Sequence, residues 1–316
     1  MKNINSGVYP TMITPYNKNH TVDYGAVREL TEWYYSKGCT GIFAACQSSE
    51  IMYLSLEDRV KLAATVKETS DSLASKNKSK QAMSVVASGH ISESFEDQIN
   101  ELKQIAKTGV DAVVLITNRA DKENTNDEAW IADIERICDN LPDVLLGLYE
   151  CPKPYKRLLS DTMIKYIASS KRFGFIKDTC CDAAIIKKRL ELLDGSGVKL
   201  FNANAQTLLA CLRDGADGYC GVMGNFHPEI YVKLFEIYDK NPKEADVIQS
   251  LLCMGAFTES LTYPCTAKYY LNKYENIKME LFSRSADSNN FTDYQKSCID
   301  QMKTLTDYFY TNMGNL

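Results

Sequence analysis

Residues 173–178 read FGFIKD, an apolar run with the look of a buried strand that nevertheless carries a lysine, Lys177, near its end. Desolvating an ammonium is costly, so a chain tolerates one there only beside a partner or for a task. Seven further β-rich segments punctuate the chain: YPTMITP (9–15), TGIFAA (40–45), AMSVVAS (82–88), DAVVLIT (111–117), VLLGLYE (144–150), VKLFNA (198–203) and GYCGVMG (218–224). Between them lie amphipathic helical patterns. In the clearest, Phe95, Ile99, Leu102 and Ala106 fall on one face, and Ser94 with Asp97 marks the start. Ser55 and Asp58 give the same signal after the second segment.

Eight strands alternating with helices over roughly 220 to 240 residues predict an α/β chain folded as a closed (β/α)8 or TIM barrel, which typically needs about 250. A doubly wound open sheet would want a glycine-rich turn directly after a strand. The one dense cluster, Gly195-Ser196-Gly197, precedes the seventh strand instead, and no phosphate-loop motif occurs. Beyond Asp239 only helical patterns remain. The expected division is therefore a barrel over 1–240 and a C-terminal helical extension over 241–316. Its last helix shows Tyr294, Cys298, Met302, Leu305 and Phe309 as a stripe to pack on the barrel or on another subunit, after a loop at SRSADSNNFT (283–292).

Composition narrows the function. The net charge is -5 and no basic run occurs, which argues against nucleic acid as a partner. No apolar stretch has the length of a membrane span and MKNINSGVYP has no signal-peptide core, so a cytoplasmic location is expected. Eleven scattered cysteines, without a C-x-x-C pair, read as reduced thiols, and His20, His90 and His227 form no metal-ligand pattern. The polar stretch Ser75 to Gln81 is the one tract of low complexity.

In a closed barrel the strand ends share one mouth. Lys177 and Tyr149 end the sixth and fifth strands there, and the loop after the second adds Gln47, Ser48 and Ser49. An amine freed from its charge by an apolar setting attacks a ketone to form a Schiff base, and a phenol can carry the protons that each step moves. Singly, such a lysine is ordinarily a snorkelling cation and such a tyrosine a packing residue. Their joint placement carries the functional reading. His227, in GNFHPE, is a further candidate at the mouth, although a histidine near a helix start is commonly just exposed. The adjacent Cys180 and Cys181 read as small apolar residues starting the next helix.

The same residues resemble the dihydrodipicolinate synthase and N-acetylneuraminate lyase family of class I aldolases along nearly the whole chain. TMITPYNKNHTVD (11–23), GCTGIFAACQSSE (38–50), YECP (149–152), GFIKDTCCD (174–182), GADGYCG (215–221) and YPCTAKYYL (263–271) follow the family's order. The resemblance implies that Lys177 is the Schiff-base lysine, Tyr149 the proton-relay phenol, and Gln47 and Ser48 the holders of a 2-oxo acid carboxylate. Ser49 and Cys220 join them as candidate substrate contacts. It further implies no metal or organic cofactor, a 2-oxo acid and an aldehyde as substrates, and a homotetramer or homodimer.

The departures concern the second substrate. Cys46 and Ser49 replace the loop glycines, and Pro154 stands where dihydrodipicolinate synthases carry an arginine. Lys153, Lys156, Arg157 and Arg119 are nearby cations that would suit an anionic partner if they face the mouth. Ala120 occupies the place of a relay tyrosine, and NANAQT (202–207) has no acidic residue where sialic acid lyases read sugar hydroxyls. The reaction expected is carbon–carbon bond making or breaking. A deoxy-oxo sugar acid dehydratase and a catalytically silent 2-oxo-acid-binding barrel are the alternatives.

Overall fold

A computed structural model describes residues 4–77 and 81–312; the middle of the polar stretch after Ser75 lies outside them. The elements alternate as β1 (Gly7–Val8), α1 (Tyr24–Ser36), β2 (Gly41–Phe43), α2 (Leu56–Lys76), β3 (Ser84–Ala87), α3 (Phe95–Lys107), β4 (Ala112–Ile116), α4 (Asp127–Asn140), β5 (Leu146–Tyr149), α5 (Asp161–Ser170), β6 (Phe173–Asp178), α6 (Ala183–Leu193), β7 (Lys199–Asn202), α7 (Leu208–Arg213), β8 (Gly218–Tyr219) and α8 (Pro228–Ile237). Three helices follow, α9 (Pro242–Gly255), α10 (Cys265–Tyr274) and α11 (Asp293–Asn312). All strand pairs are parallel, in the order β1-β8-β7-β6-β5-β4-β3-β2, and a bridge between Thr11 and Phe43 joins the two ends. The fold is a TIM barrel with a C-terminal helical extension. Among the described residues no helix is long and apolar enough to cross a membrane.

The local signals act as expected. Ser55 accepts from the Asp58 N–H and Ser94 from the Asp97 N–H, capping α2 and α3. On α3 Ile99, Leu102 and Ile105 are buried, and Phe95 and Ala106 pack beside them. The first strand differs from the reading at 9–15. Its regular ladder is confined to Gly7–Val8, because Pro10 brings no N–H, and beyond it single bonds continue the line, from the Tyr9 N–H to the Tyr219 carbonyl at 2.8 Å and around the Thr11–Phe43 bridge. The eighth shortens likewise, giving way to a 3-10 turn over Val222–Asn225.

Aromatic rings fill the barrel. Tyr9 and Phe201 lie 4.5 Å apart by ring centroids, Phe175 and Phe201 4.7 Å, and Phe43 and Phe175 6.1 Å. Such rings fit only where a facing strand offers no side chain. A Cβ on Gly41 would come within 2.1 Å of the Tyr9 ring, which cannot swing away because its hydroxyl donates to the Asn5 carbonyl at 2.7 Å.

The last helix is rotated from the expected stripe, of which Met302 and the partly buried Phe309 do pack on the core. Ile299, Met302 and Thr306 are its buried face, whereas Tyr294 is 75% exposed and Leu305 also faces outward. Its partner is α10, through the cluster in which Asp300 takes the Tyr269 hydroxyl at 3.0 Å and the Lys273 ammonium at 2.9 Å. These polar anchors set the helix's rotation, which an apolar count does not register.

Gly41→Ala should lower stability by about 1–3 kcal/mol through overpacking, read as a lower urea midpoint at unchanged slope. An unchanged midpoint would mean that the Tyr9 ring does not fill the space in front of Gly41.

Candidate active site

Side-chain alternation along β6 sends Phe173, Phe175 and Lys177 to the barrel interior and Ile176 and Asp178 toward the helices. On β5 the residue in register with Lys177 is Tyr149. The Lys177 Nζ therefore lies 4.3 Å from the Tyr149 ring centroid and 5.6 Å from that of Phe43, with the residue only 5% exposed. Burial, first, and the neighbouring thiols of Cys151 and Cys46 push the Tyr149 phenol well above its ordinary range, so it stays protonated. Burial also raises the Cys151 thiol, and raises Cys220 to about 12 against the opposite pull of Lys177. Around Lys177, burial thus favours the neutral forms of the Tyr149 phenol and of the Cys151 and Cys220 thiols.

Behind the two strands a buried ion cluster fixes their ends. Arg189 on α6 pairs with Asp178 and, at 2.8 Å, with Glu150. Glu150 also accepts from the backbone N–H groups of Leu159 at 2.7 Å and Thr179 at 2.8 Å. Burial and then repulsion from Asp178 raise the Glu150 carboxyl. Burial opposes the charge on Arg189, but the two carboxylates outweigh it and hold the guanidinium protonated.

The loop after β2 is a 3-10 turn over Gln47–Ser49. Gln47 and Ser48 face a cavity of about 420 Å³ that Tyr149 and Lys177 also line. The Ser48 hydroxyl donates to Thr11 Oγ1 at 3.0 Å, and Gln47 Oε1 accepts from the Cys151 thiol at 3.3 Å. Ser49 does not reach the cavity. Its hydroxyl is buried, set between the Met12 and Ala44 carbonyls at 2.6 and 2.8 Å, and accepts from the Cys46 N–H at 3.1 Å. Ser49 is thus a brace for the turn. Cys220 is fully buried beside Lys177 and is likewise not part of the cavity wall.

Glu50 follows in the left-handed region, φ 62°, so the strain sits there and not at the extended Cys46 that replaces the loop's first glycine. Its carboxylate accepts from the Ser283 hydroxyl at 2.7 Å and from the backbone N–H groups of Arg284 and Ser285 at 2.6 and 2.7 Å. On its other side stands Lys268, 3.8 Å away on α10 and lowered to about 8 by burial, which Glu50 partly offsets. The extension is in this way tied to the cavity rim.

The extension also supplies wall. Glu259 and Tyr263, in the segment between α9 and α10, line the cavity with Lys177. The Tyr263 phenol interacts with the Ser48 and Thr11 hydroxyls and accepts from Asn225 Nδ2 at 3.3 Å. Neither residue was legible as a site residue, since both lie outside the strand ends; Tyr263 stood inside a motif read only as extension helix. Of the four candidate cations only Lys153 lines the cavity. The Lys156 ammonium donates to the Thr179 carbonyl at 2.8 Å, Arg157 is buried against Asp121 at 2.9 Å, and Arg119 pairs with Glu93 at 3.0 Å. Ala120 is buried and brings no hydroxyl, and Ala203 is what the loop after β7 presents.

The signature of the Dihydrodipicolinate synthetase family matches residues 5–271. The chain belongs to that family. Among its relatives, the 4-hydroxy-tetrahydrodipicolinate synthase of Pseudoalteromonas atlantica is 24% identical over 294 residues, covering 90% of this chain and 95% of the relative. In structure it is similar to the catalytic lysine mutant of Ruminococcus gnavus sialic acid aldolase, with a TM-score of 0.83 at 19% identity over 98% of this chain and 100% of that one. It is also similar to the chloride-inhibited dihydrodipicolinate synthase of Acinetobacter baumannii complexed with pyruvate, with a TM-score of 0.79 at 20% identity over 95% and 98%. At these identities the structural likeness is one of fold.

Two sequence candidates fall elsewhere than expected. Cys180 and Cys181 precede α6, which Asp182 caps, and Cys181 has φ 61°; burial raises both thiols. His227 is not at the mouth. It is 1% exposed, stacked on Tyr231 with ring centroids 5.8 Å apart, and among the described residues neither ring nitrogen finds a partner. Burial lowers it to about 3, so it is neutral.

A histidine lowered from 6.5 to about 3 binds fewer protons folded than unfolded, so it costs stability as pH falls below about 6.5. His227→Phe should therefore gain on the wild type by up to about 1.4 kcal/mol per pH unit between pH about 6 and 4, measured by urea unfolding, with activity unchanged. A parallel pH dependence in the two proteins would contradict the buried neutral ring.

Proposed function

We propose that this protein is a Schiff-base lyase or aldolase acting on pyruvate or a related 2-oxo acid. The observation that carries the reading is the amine of Lys177, buried at the mouth of the barrel against the ring of its register partner Tyr149. Family membership supports the reaction class. The aromatic filling beneath Lys177 closes the barrel, so substrate approaches from one side.

In the proposed sequence the Lys177 ammonium gives up a proton and its nitrogen attacks the ketone carbon, the ketone oxygen takes a proton, and the resulting carbinolamine loses water to leave an iminium on Nζ. Tyr149, a phenol throughout, passes protons between nitrogen, oxygen and leaving water. Ser48, with the backbone of the Gln47–Ser49 turn, receives the 2-oxo acid carboxylate. The iminium then draws electrons from the adjoining carbon, whose bond to hydrogen or to carbon breaks, giving an enamine. Adding the enamine to an aldehyde makes a carbon–carbon bond, and the reverse releases pyruvate. Whichever of the two the cell uses, release of pyruvate separates this chemistry from dehydration.

Borohydride reduction in the presence of pyruvate should leave an adduct on Lys177, located by intact mass and peptide mapping. Lys177→Ala should abolish it. Tyr149→Phe should keep the adduct and slow turnover by about 10²–10⁴-fold. Absence of an adduct with any 2-oxo acid would leave a binding barrel without this chemistry.

A further inference from the structure

The Schiff-base sequence needs a group that accepts a proton from carbon and later returns it to oxygen. Tyr149 starts as the protonated phenol, because burial disfavours its anion, and so has no vacant position for the carbon proton. The interior thiols of Cys151 and Cys220 are disfavoured as anions for the same reason. His227 is sealed away behind Tyr231. Glu50 lines the cavity too, but its Oε1 takes three hydrogen bonds from residues 283–285 and its buried Oε2 faces the Lys268 ammonium at 3.8 Å. What remains is Glu259. It stands on the 3-10 turn Ala256–Ser260 after α9, half-buried in the same cavity as Lys177. Among the described residues no hydrogen bond or ion pair holds its carboxylate, so it is free to meet a ligand.

We propose that Glu259 takes the methyl proton from the pyruvate bound to Lys177 and delivers it to the carbonyl oxygen of the acceptor aldehyde. The inference rests on the Schiff-base reading above and assigns one of its steps. In the forward direction the carboxylate accepts a proton from the methyl carbon, the C–H electron pair becomes the enamine double bond, and the iminium nitrogen is neutralised. The enamine carbon then bonds to the aldehyde carbon, the carbonyl electron pair moves onto oxygen, and that oxygen takes the proton from the Glu259 carboxyl. The iminium is restored and no proton is left over. In cleavage the carboxylate begins by taking the hydroxyl proton. Both directions start from the ionised form.

The surroundings fit this duty. Burial raises the Glu259 carboxyl to about 7, against the opposing pull of the Lys177 ammonium. An acid–base group works best when its pKa lies near the working pH. The other titratable groups around it are Tyr219 of β8, Tyr231 of α8, Tyr263 and Cys181, all raised by burial, with Lys153 on the shared cavity wall. Among these groups Glu259 is the one carboxylate, and it shares the cavity wall with Lys177. The loop after β7 offers the methyl of Ala203 to this cavity, so a carboxylate arriving from the extension fills a chemical gap that the strand ends leave open.

Pyruvate alone tests the step. In D2O the wild type should exchange the methyl protons of pyruvate, followed by proton NMR, with a rate that rises through an apparent pKa near 7. Glu259→Gln should still give the borohydride adduct on Lys177, yet exchange at least about 100-fold more slowly and without that pH limb. Glu259→Asp should restore part of the rate together with the limb. Equal exchange in wild type and Glu259→Gln, with both forming the adduct, would overturn the role of Glu259 while leaving the Schiff base standing. No adduct in the wild type would overturn both. Should the amide disturb the turn, the wild-type profile decides: exchange that is flat between pH about 6 and 8 rules Glu259 out.

Discussion

The pairing of Tyr149 with Lys177 across two parallel strands is the constraint on which the rest depends. Because side chains alternate, the register that brings phenol and amine together on the inside also puts Glu150 and Asp178 on the outside at the same level. Both carboxylates then meet a single guanidinium, Arg189. A slip of one residue would expose the amine to the helix layer and bury the carboxylates in the barrel. The ion cluster is a poor source of net stability, since desolvating three charges offsets most of their attraction. Its consequence is geometric: it allows one register and penalises the alternatives.

Below that level the barrel is closed by rings. Tyr9, Phe175 and Phe201 occupy the space that Gly41, Gly147 and Gly218 leave open, and with Phe43 they form the floor under Lys177. The amine therefore sits between a dry floor and an open mouth. Charged groups above it are few and of both signs, with Lys153 and Glu259 on opposite accounts of charge. The cavity is thus less cationic than a count of nearby lysines and arginines suggests, because Lys156, Arg157 and Arg119 are engaged elsewhere.

The architecture was readable because buried parallel strands are near-continuous apolar runs and because helix starts carry explicit caps, as at Ser55 and Ser94. Lys177 and Tyr149 were readable for a topological reason: consecutive strands of a barrel are neighbours, so two residues at successive strand ends must meet. Other features depend on which way one side chain turns. Ser49 belongs to the same turn as Ser48, yet points inward to brace it, and nothing in QSS distinguishes the two. Glu259 and Tyr263 lie in a segment with no strand to announce its position. The rotation of α11 follows from Asp300 and its tyrosine and lysine partners, polar contacts that a hydrophobic stripe does not encode.

The carboxylate of Glu50 fastens the turn after the second strand to Ser283, Arg284 and Ser285, some 230 positions further along the chain. This stitch has a meaning for biosynthesis. During translation the lysine and the phenol leave the ribosome well before the segment that carries Glu259, Tyr263 and the strap at 283–285. The nascent chain thus displays Lys177 and Tyr149 without their completed chamber, and the enclosure closes only once residues 283–285 have followed.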